Sequence, residues 1–499
     1  MRSKRAQKRL KKRKIIGRIL WFIQLITTIL FSYEAYTSQM FPTKYFIGIV
    51  AVFVVALIFT AIFMFLFVRK KPYFIGLLMA VLMSAVCGAG FYYMHGAVST
   101  LKNISGANIE VSGYGVYVDT DDSAEKIEDA SGYTFGIVAV QDRDNTNEVI
   151  NQINTELGSD ITVKTYEDMY AVTDAVLNQE IDAMIINGAY IAVLEDEDNY
   201  ADLQNQIKVI ANYTVESSTE NTELDESDGI FTVYISGIDV RGDISTTSRS
   251  DVNIIAVVNR NTHQILLVST PRDYYVPTSV SNGQNDKLTH AGLYGIECSM
   301  QTLGMLYDTD VDYYFRVNFT GFENIIDALG GIDVYSDKSF TSWSKKLYFS
   351  EGTNHLNGEY ALEFARERHA FASGDNQRGA NQMKVIEAVI NACTSPSILN
   401  NYSSLLSSLN DSFQTSVPYS LISDIVQDQL SNGGTWDIQK ISAIGEGTKA
   451  TTYSAPSQYA YVMLPDETVV SKIKGYIDEI EDNQVIDVDA DSDSTSSEE

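Results

Sequence analysis

Hydrophobic positions follow two regimes along the chain. From Ile19 to about Tyr33, from Tyr45 to Val68 and from Phe74 to about Met94 they run nearly unbroken. Each run reaches or approaches the roughly 20 residues that cross a bilayer as a helix. The first is the weakest, because Arg18 and Gln24 interrupt it and Glu34 ends it. Arg18 can snorkel to the headgroups, so a span can begin near Ile15. The second is broken only by Thr60. Beyond residue 97 the pattern becomes periodic. Residues 133–140 read as an apolar strand, and Val149, Ile150, Ile153 and Leu157 recur at helical spacing. Strand-like runs at 161–165, 181–186 and 207–212, with a helical stretch at 167–177, predict a small parallel α/β accessory layer over 97–225. A polar, acidic linker at 216–229 leads into a second α/β domain over 230–476. Its predicted elements are a strand at 231–237, a hairpin of 252–258 with 264–270, an extended 311–318, and helices over 291–306, 322–329 and 376–392. Residues 478–499 are acidic and Ser-rich and read as a disordered tail.

Charge gives these regions an address. The net charge is −29, but residues 1–95 hold 14 Lys or Arg against a single acid, Glu34. Nine basic residues fall within 2–14, a basic cytoplasmic tail, and three more form Arg69-Lys70-Lys71. The loop between the first two spans carries one Lys, Lys44. The positive-inside rule therefore puts the N-terminus and the Arg69 loop in the cytoplasm. Three spans over 15–96 then put everything after Met94 outside the cell, in a multi-pass cell-membrane protein. A cleaved signal peptide fits badly, since two more spans follow and no small-residue cleavage site is evident. The basic run suits nucleic acid or anionic headgroups; beside a span it reads as a topology anchor. The 30 Tyr and 21 Phe exclude a wholly disordered chain. Three Cys exclude a disulfide framework and a Cys-pair zinc site. Cys87 reads as a packing residue in the third span. Cys298 and Cys393 are either a pair or free and buried.

The outer region is acidic, yet its second domain collects arginines at transitions between elements. Arg241 and Arg249 flank the first two strands, Arg272 follows the third in S-T-P-R-D, Arg366 and Arg368 close a helix, and Arg378 enters another in G-D-N-Q-R. Ligands of open α/β sheets bind beyond strand ends, and the guanidinium fork matches phosphate oxygens bidentately. Several arginines aimed at one point repel unless an anion neutralises them, which favours a polyanion such as a pyrophosphate. Asp239 and Asp251 supply two carboxylates, the usual protein share of a magnesium site completed by phosphates and water. Each Asp-Arg motif alone reads equally well as a surface ion pair; five together do not. His369 reads as a local structural partner. No chemistry is assigned to 97–225, which reads as a spacer or partner-binding domain.

The stretches G-I-D-V-R-G, S-R-S-D-V, S-T-P-R-D, D-K-L-T-H-A-G-L-Y-G, N-F-T-G-F-E-N-I-I-D-A-L-G-G-I-D-V and L-N-G-E-Y-A-L-E-F-A-R-E-R-H, then G-D-N-Q-R-G-A-N-Q, resemble the LytR–CpsA–Psr (LCP) family, most closely its capsule-operon branch of the CpsA type. The resemblance is strong over about 230–395, and the spans and the 97–225 domain also resemble that branch's anchor and accessory domain. It implies a membrane-anchored α/β fold whose LCP catalytic domain holds a central mixed sheet. It implies a phosphotransferase outside the membrane that moves a glycan, of capsule type for this branch, from a polyprenyl pyrophosphate carrier to peptidoglycan through a phosphodiester bond. Carried over by position, Asp239 and Asp251 hold Mg2+. Arg249, Arg272, Arg366, Arg368 and Arg378 clamp the pyrophosphate, Gln382 adds a hydrogen bond, and Lys287 supplies a further contact. Asp375 orients Arg378 or acts as a base. The sequence departs from the family at Asn381, where many members have a second Arg. An apolar tunnel for the prenyl chain is expected from 311–319 and 322–329, which read equally as core. Capsule assembly proteins join the carrier-linked glycan, peptidoglycan and the cell membrane as expected partners, and nucleic acid does not. Two alternatives remain: a protein that binds or hydrolyses the carrier pyrophosphate, and a membrane-bound regulator of capsule expression.

Overall fold

The computed structural model describes residues 2–106, 109–139, 142–195, 197–218, 229–238, 247–371, 374–395 and 413–488. Asp239 and Arg241 fall outside the described residues, as does most of the linker expected at 216–229. By contact the chain divides into two compact bodies.

The first body joins residues 2–105 to 417–435. Its helices are α1 (Arg2–Thr37), α2 (Thr43–Ala61, continued by a π-helical turn Ile62–Leu66) and α3 (Pro72–Ile104). All three are long and apolar enough to cross a membrane, so the chain carries a membrane anchor at its N-terminal end. The basic run at 2–14 is the start of α1, Lys and Arg being good helix formers. The polar interruptions of the first two spans answer each other, because the Thr60 hydroxyl donates to Gln24 Oε1 at 2.8 Å in the buried helix contact. Trp21 Nε1 likewise donates to the Leu57 carbonyl at 3.0 Å.

The helix Tyr419–Asn432 also belongs to this body, although the pattern placed it inside a domain running from 230 to 476. Tyr419 donates to the Ser38 carbonyl at 2.8 Å, and Gln427 Nε2 donates to the Gln39 carbonyl at 3.0 Å. Its amphipathic pattern announces a buried face without saying what buries it.

The second body holds both α/β layers. The first layer is a five-stranded sheet of order β3-β2-β4-β1-β5, with β1 (Ile109–Asp119), β2 (Thr134–Val138), β3 (Thr162–Tyr166), β4 (Ala183–Asn187) and β5 (Ile207–Ser218). β2 runs parallel to β3 and β4, but β1 is antiparallel to β4 and β5. The layer is therefore mixed rather than parallel. The strand missed by periodicity is β1, whose Gly113 and Gly115 break the apolar alternation. Helices α4 (Arg143–Leu157), α5 (Met169–Leu177) and α6 (Gly188–Glu195) cover the sheet. Val149 and Ile153 pack with Phe135 and Ile137, while Val172 and Tyr190 pack with Met184 and Ile186.

The second layer is a six-stranded mixed sheet. Its order is Phe413–Thr415, Tyr313–Asn318, β6 (Ile230–Ile238), β7 (Ser250–Asn259), β8 (Gln264–Ser269), Asp437–Ser442. The predicted hairpin is β7–β8, its turn closed by Asn259 Oδ1, which accepts from the Asn261 and Thr262 amides at 2.9 and 3.1 Å. One sheet face packs Ile255, Val257, Leu266 and Val268 against the helices Ile296–Tyr307 and Glu467–Glu481. The other packs Ile254 and Leu267 against Met383 of the helix Asp375–Thr394. The Glu467–Glu481 helix passes the boundary expected at 476, with Ile477 and Ile480 buried; Ile486 and Val488 also join the core. The acidic composition that suggested disorder from 478 is the outer face of an amphipathic helix. Residues 489–499 fall outside the described residues. Cys87 and Cys298 are buried and Cys393 is exposed, all unpaired with one another.

Candidate pyrophosphate site

Four ends of elements converge on one small polar cavity. It is lined by Asp251 at the start of β7, by Ser269–Arg272 at the end of β8, by Ser442 and Ala443 at the end of the neighbouring strand, and by Asp375, Asn376, Arg378 and Gln382 on the first turns of the Asp375–Thr394 helix. Strand Asp437–Ser442 runs parallel to β8, with Ser442 opposite Ser269, so two carboxyl strand ends meet there. Ligands of α/β sheets bind in such crevices. The cavity also receives the N-terminus of a 20-residue helix, where backbone amides and dipole favour an anion. Close approach of helix and sheet requires Gly379, since a Cβ there would stand 2.5 Å from Ser269 Oγ.

Charge in the cavity is paired but strained by its own sign. Arg272 donates to Asp251 at 2.9 Å, and Arg378 pairs with Asp375 at 2.7 Å. Burial alone would raise the Asp251 carboxyl, but the Arg272 and Arg249 guanidiniums outweigh it and hold the group below its ordinary value. Burial pulls Arg378 below its ordinary value; Asp375 opposes that, while Arg272 and Arg368 repel it further. Several guanidiniums thus share one field, the condition that an added anion relieves. Asn376 Oδ1 is buried and accepts no hydrogen bond among the described residues.

The other expected residues fall outside the cavity lining. Arg249 and Arg368 act on it through charge. Lys287 reaches it through Asp273, with Nζ 3.3 Å from Asp273 Oδ1, and Asp273 Oδ2 lies 3.7 Å from Arg272 Nε. Arg366 is exposed at the end of its helix, over the Phe319 ring at 4.2 Å. His369 lies beside Trp343, ring centres 5.5 Å apart. Asn381, in the place of a familial Arg, is buried and donates to the Phe364 carbonyl at 3.3 Å, tying two helices together. Sequence reasoning missed Ser269, Thr270, Asn376, Ser442 and Asp273. Asp273 and Asn376 stood inside quoted motifs, whereas Ser442 arrives by a distant strand pairing that leaves no local signal. Tyr461 was missed as well: burial first, then the charges of Asp273 and Asp375, raise its hydroxyl above the ordinary value.

Among the described residues no group of three or more His, Cys, Asp or Glu side chains gathers as a metal centre. Of the two carboxylates expected to hold magnesium, Asp251 is engaged by Arg272 at 2.9 Å and Asp239 lies outside the described residues.

A family model described as LytR_cpsA_psr family matches residues 191–469. A second, described as DNA polymerase processivity factor, matches residues 69–186, a stretch that contains α3, β1, β2 and β3 and all of β4 but its last residue. The chain is similar to the polyisoprenyl-teichoic acid–peptidoglycan teichoic acid transferase TagU of Bacillus cereus, with 32% identity over 44% of this chain and 67% of that protein. It is similar to TagU of Halalkalibacterium halodurans, with 30% identity over 49% of this chain and 77% of that protein. The crystal structure of B. subtilis TagU aligns with 28% identity and a TM-score of 0.40, covering 50% of this chain and 96% of that one. With its family model matched over more than half its length, the chain belongs to the LytR–CpsA–Psr family.

Proposed function

We propose that this protein is a transferase that moves a glycopolymer from a polyprenyl pyrophosphate carrier to peptidoglycan. The observation that carries the reading is the convergence of Arg272 and Arg378, with Asp251 and Asp375, on one cavity at a helix N-terminus. The names of the similar TagU proteins support it. Basic loops beside the spans support a cytoplasmic N-terminus and an outer catalytic domain. The proposed glycan is capsular, supported by the likeness of the three-span anchor and accessory layer to the capsule-operon branch.

In the proposed reaction the acceptor hydroxyl of peptidoglycan attacks the phosphorus bonded to the glycan. The pyrophosphate P–O bond breaks and polyprenyl phosphate leaves with the other phosphorus. The hydroxyl proton passes to a base or to the leaving phosphate. Such transfers need positioning and neutralisation more than covalent machinery. Arg272 and Arg378 clamp the phosphates, Arg249, Arg368 and Lys287 add to the field, and Gln382 donates a hydrogen bond. Arg366 contacts the donor farther from the bond that breaks. Asp375 orients Arg378. Asp251, with Asp239, would hold Mg2+, which would supply neutralisation of the pyrophosphate oxygens.

The test uses full-length protein in detergent with a polyprenyl-pyrophosphate glycan, magnesium and peptidoglycan fragments. Mass spectrometry should show a phosphodiester-linked product that disappears in Arg368→Ala. Carrier cleavage without linked product would make the protein a pyrophosphate hydrolase instead.

A further inference from the structure

In the accessory layer β2, β3 and β4 run parallel, and sheets of this kind bind ligands in the crevice beyond their carboxyl ends. Residues of the same chain make contacts there. Asp168, fully buried just past β3, caps α5 through the Ala171 amide at 2.9 Å. Its second oxygen accepts from the Ser457 amide at 3.1 Å and from the Ser457 hydroxyl. Ala455, two residues earlier, is buried in the accessory core cluster that holds Tyr190 and Tyr200, together with Leu293.

The same loop grips the catalytic layer with its other side. Ser454 donates through its amide to Asp286 Oδ2 at 2.9 Å and through its hydroxyl to the same oxygen. Asp286 is fully buried, and its Oδ1 accepts from the Lys287 amide at 2.7 Å and lies 2.7 Å from His290 Nδ1. Lys287 carries the chain of contacts to Asp273 and so to Arg272. Lys287 ends a three-residue strand, Asn285–Lys287, whose ladder partner among the described residues is Tyr275–Pro277. The same loop also touches this ribbon's backbone, since the Tyr453 amide donates to the Asn285 carbonyl at 3.0 Å.

We propose that residues 452–457 form a brace. Docked in the accessory crevice, they fix Asp286 and through it Lys287, so Asp168, Ser454, Ser457 and Asp286 are positioning residues for the pyrophosphate. The accessory layer then serves the active site by holding this loop, not by receiving a separate ligand. The inference rests on the proposed pyrophosphate site.

The test is a double-mutant cycle on full-length protein in detergent, read as calorimetric binding of farnesyl pyrophosphate. Ser457→Ala should weaken binding about 5-fold, the scale of one ordinary lost hydrogen bond, because this bond acts on the ligand only through the loop. Ser457→Thr, which keeps the hydroxyl at an exposed position, should restore it. On a Lys287→Ala background the Ser457→Ala loss should shrink to under about twofold, since the brace acts through the lysine. Ser454→Ala should repeat the pattern from the other side. Equal losses on both backgrounds, or no loss at all, would overturn the brace and leave the site standing. No binding by the unmutated protein would overturn site and brace together. Binding without transfer would count against the proposed reaction alone and leave the brace intact.

Discussion

Two arginine settings in the same body differ in a way that separates structure from chemistry. Arg316, on the strand Tyr313–Asn318, is fully buried and pairs with Glu110 of β1 at 2.6 Å. The Glu110 carboxylate also accepts from the Ile296 amide at 3.1 Å. This pair joins the accessory layer to the catalytic layer. Arg272 and Arg378 pair with carboxylates just as closely, yet they line a cavity and repel each other across it. A buried guanidinium whose carboxylate faces it through a closed joint holds elements together. A guanidinium crowded by others of its own sign beside an opening is suited to an anion. Ion pairing alone does not distinguish the two; the company of like charges does.

The largest expected effect breaks the structural setting. Glu110→Ala leaves Arg316 buried with its charge uncompensated, so unfolding stability should fall by about 3–5 kcal/mol. Denaturant melts of the full chain would check this, and an unchanged midpoint would refute the joint. The chemical setting should respond in the opposite currency. Arg378→Ala should cut transfer by about 10²–10³-fold, the range for losing one charge-stabilising donor, while the melting midpoint moves little. A variant that loses stability and activity in step would erase the contrast. The Arg366 and Arg368 roles sharpen it: Lys at either position should leave activity incomplete, because an ammonium lacks the bidentate fork.

A smaller effect is in pH. Asp251 is held below its ordinary value of 3.8, so its contribution to stability is full above that value and lost as pH falls through the lowered one. Asp142, in the accessory layer, is raised above 3.8 by burial despite hydrogen bonds from Tyr114, Asn187 and Asn145. Its contribution is full below that value and lost as pH rises through the raised one. Asp251→Asn should therefore be less stable than the unmutated protein near about pH 6, with the gap closing under about pH 3. Asp142→Asn should gain relative stability from about pH 4 toward neutrality. Urea melts across this range check both signs. The smallest effect is Gln382→Ala, which should slow transfer about 5- to 10-fold, as one hydrogen bond implies.

The sequence made the chemical setting far more legible than the structural one. Arg272, Arg378, Asp375 and Gln382 sit in short motifs at strand ends and a helix start, where local pattern marks both the element and the charge. The β7–β8 hairpin was readable for the same reason, its partners being neighbours in sequence. Arg316 and Glu110 carry no motif and stand 206 residues apart, so nothing local announces that they meet. Ser442 and the 452–457 loop were invisible for that reason too. Helix Glu467–Glu481 was not read as a helix, and its last turn was given to the tail, because its acids masked the spacing of Val470, Ile473, Ile477 and Ile480. β1 was missed because two glycines interrupt a strand whose neighbours, β4 and β5, come much later in the chain.

Glycan transfer is measured most directly in a single-turnover reaction with glycan-labelled polyprenyl-pyrophosphate donor, full-length protein and insoluble peptidoglycan. Label on the wall and released polyprenyl phosphate are counted together. Transfer as proposed makes the two appear in equal amounts, and Arg272→Ala abolishes both. Released polyprenyl phosphate with the label left in solution would contradict it.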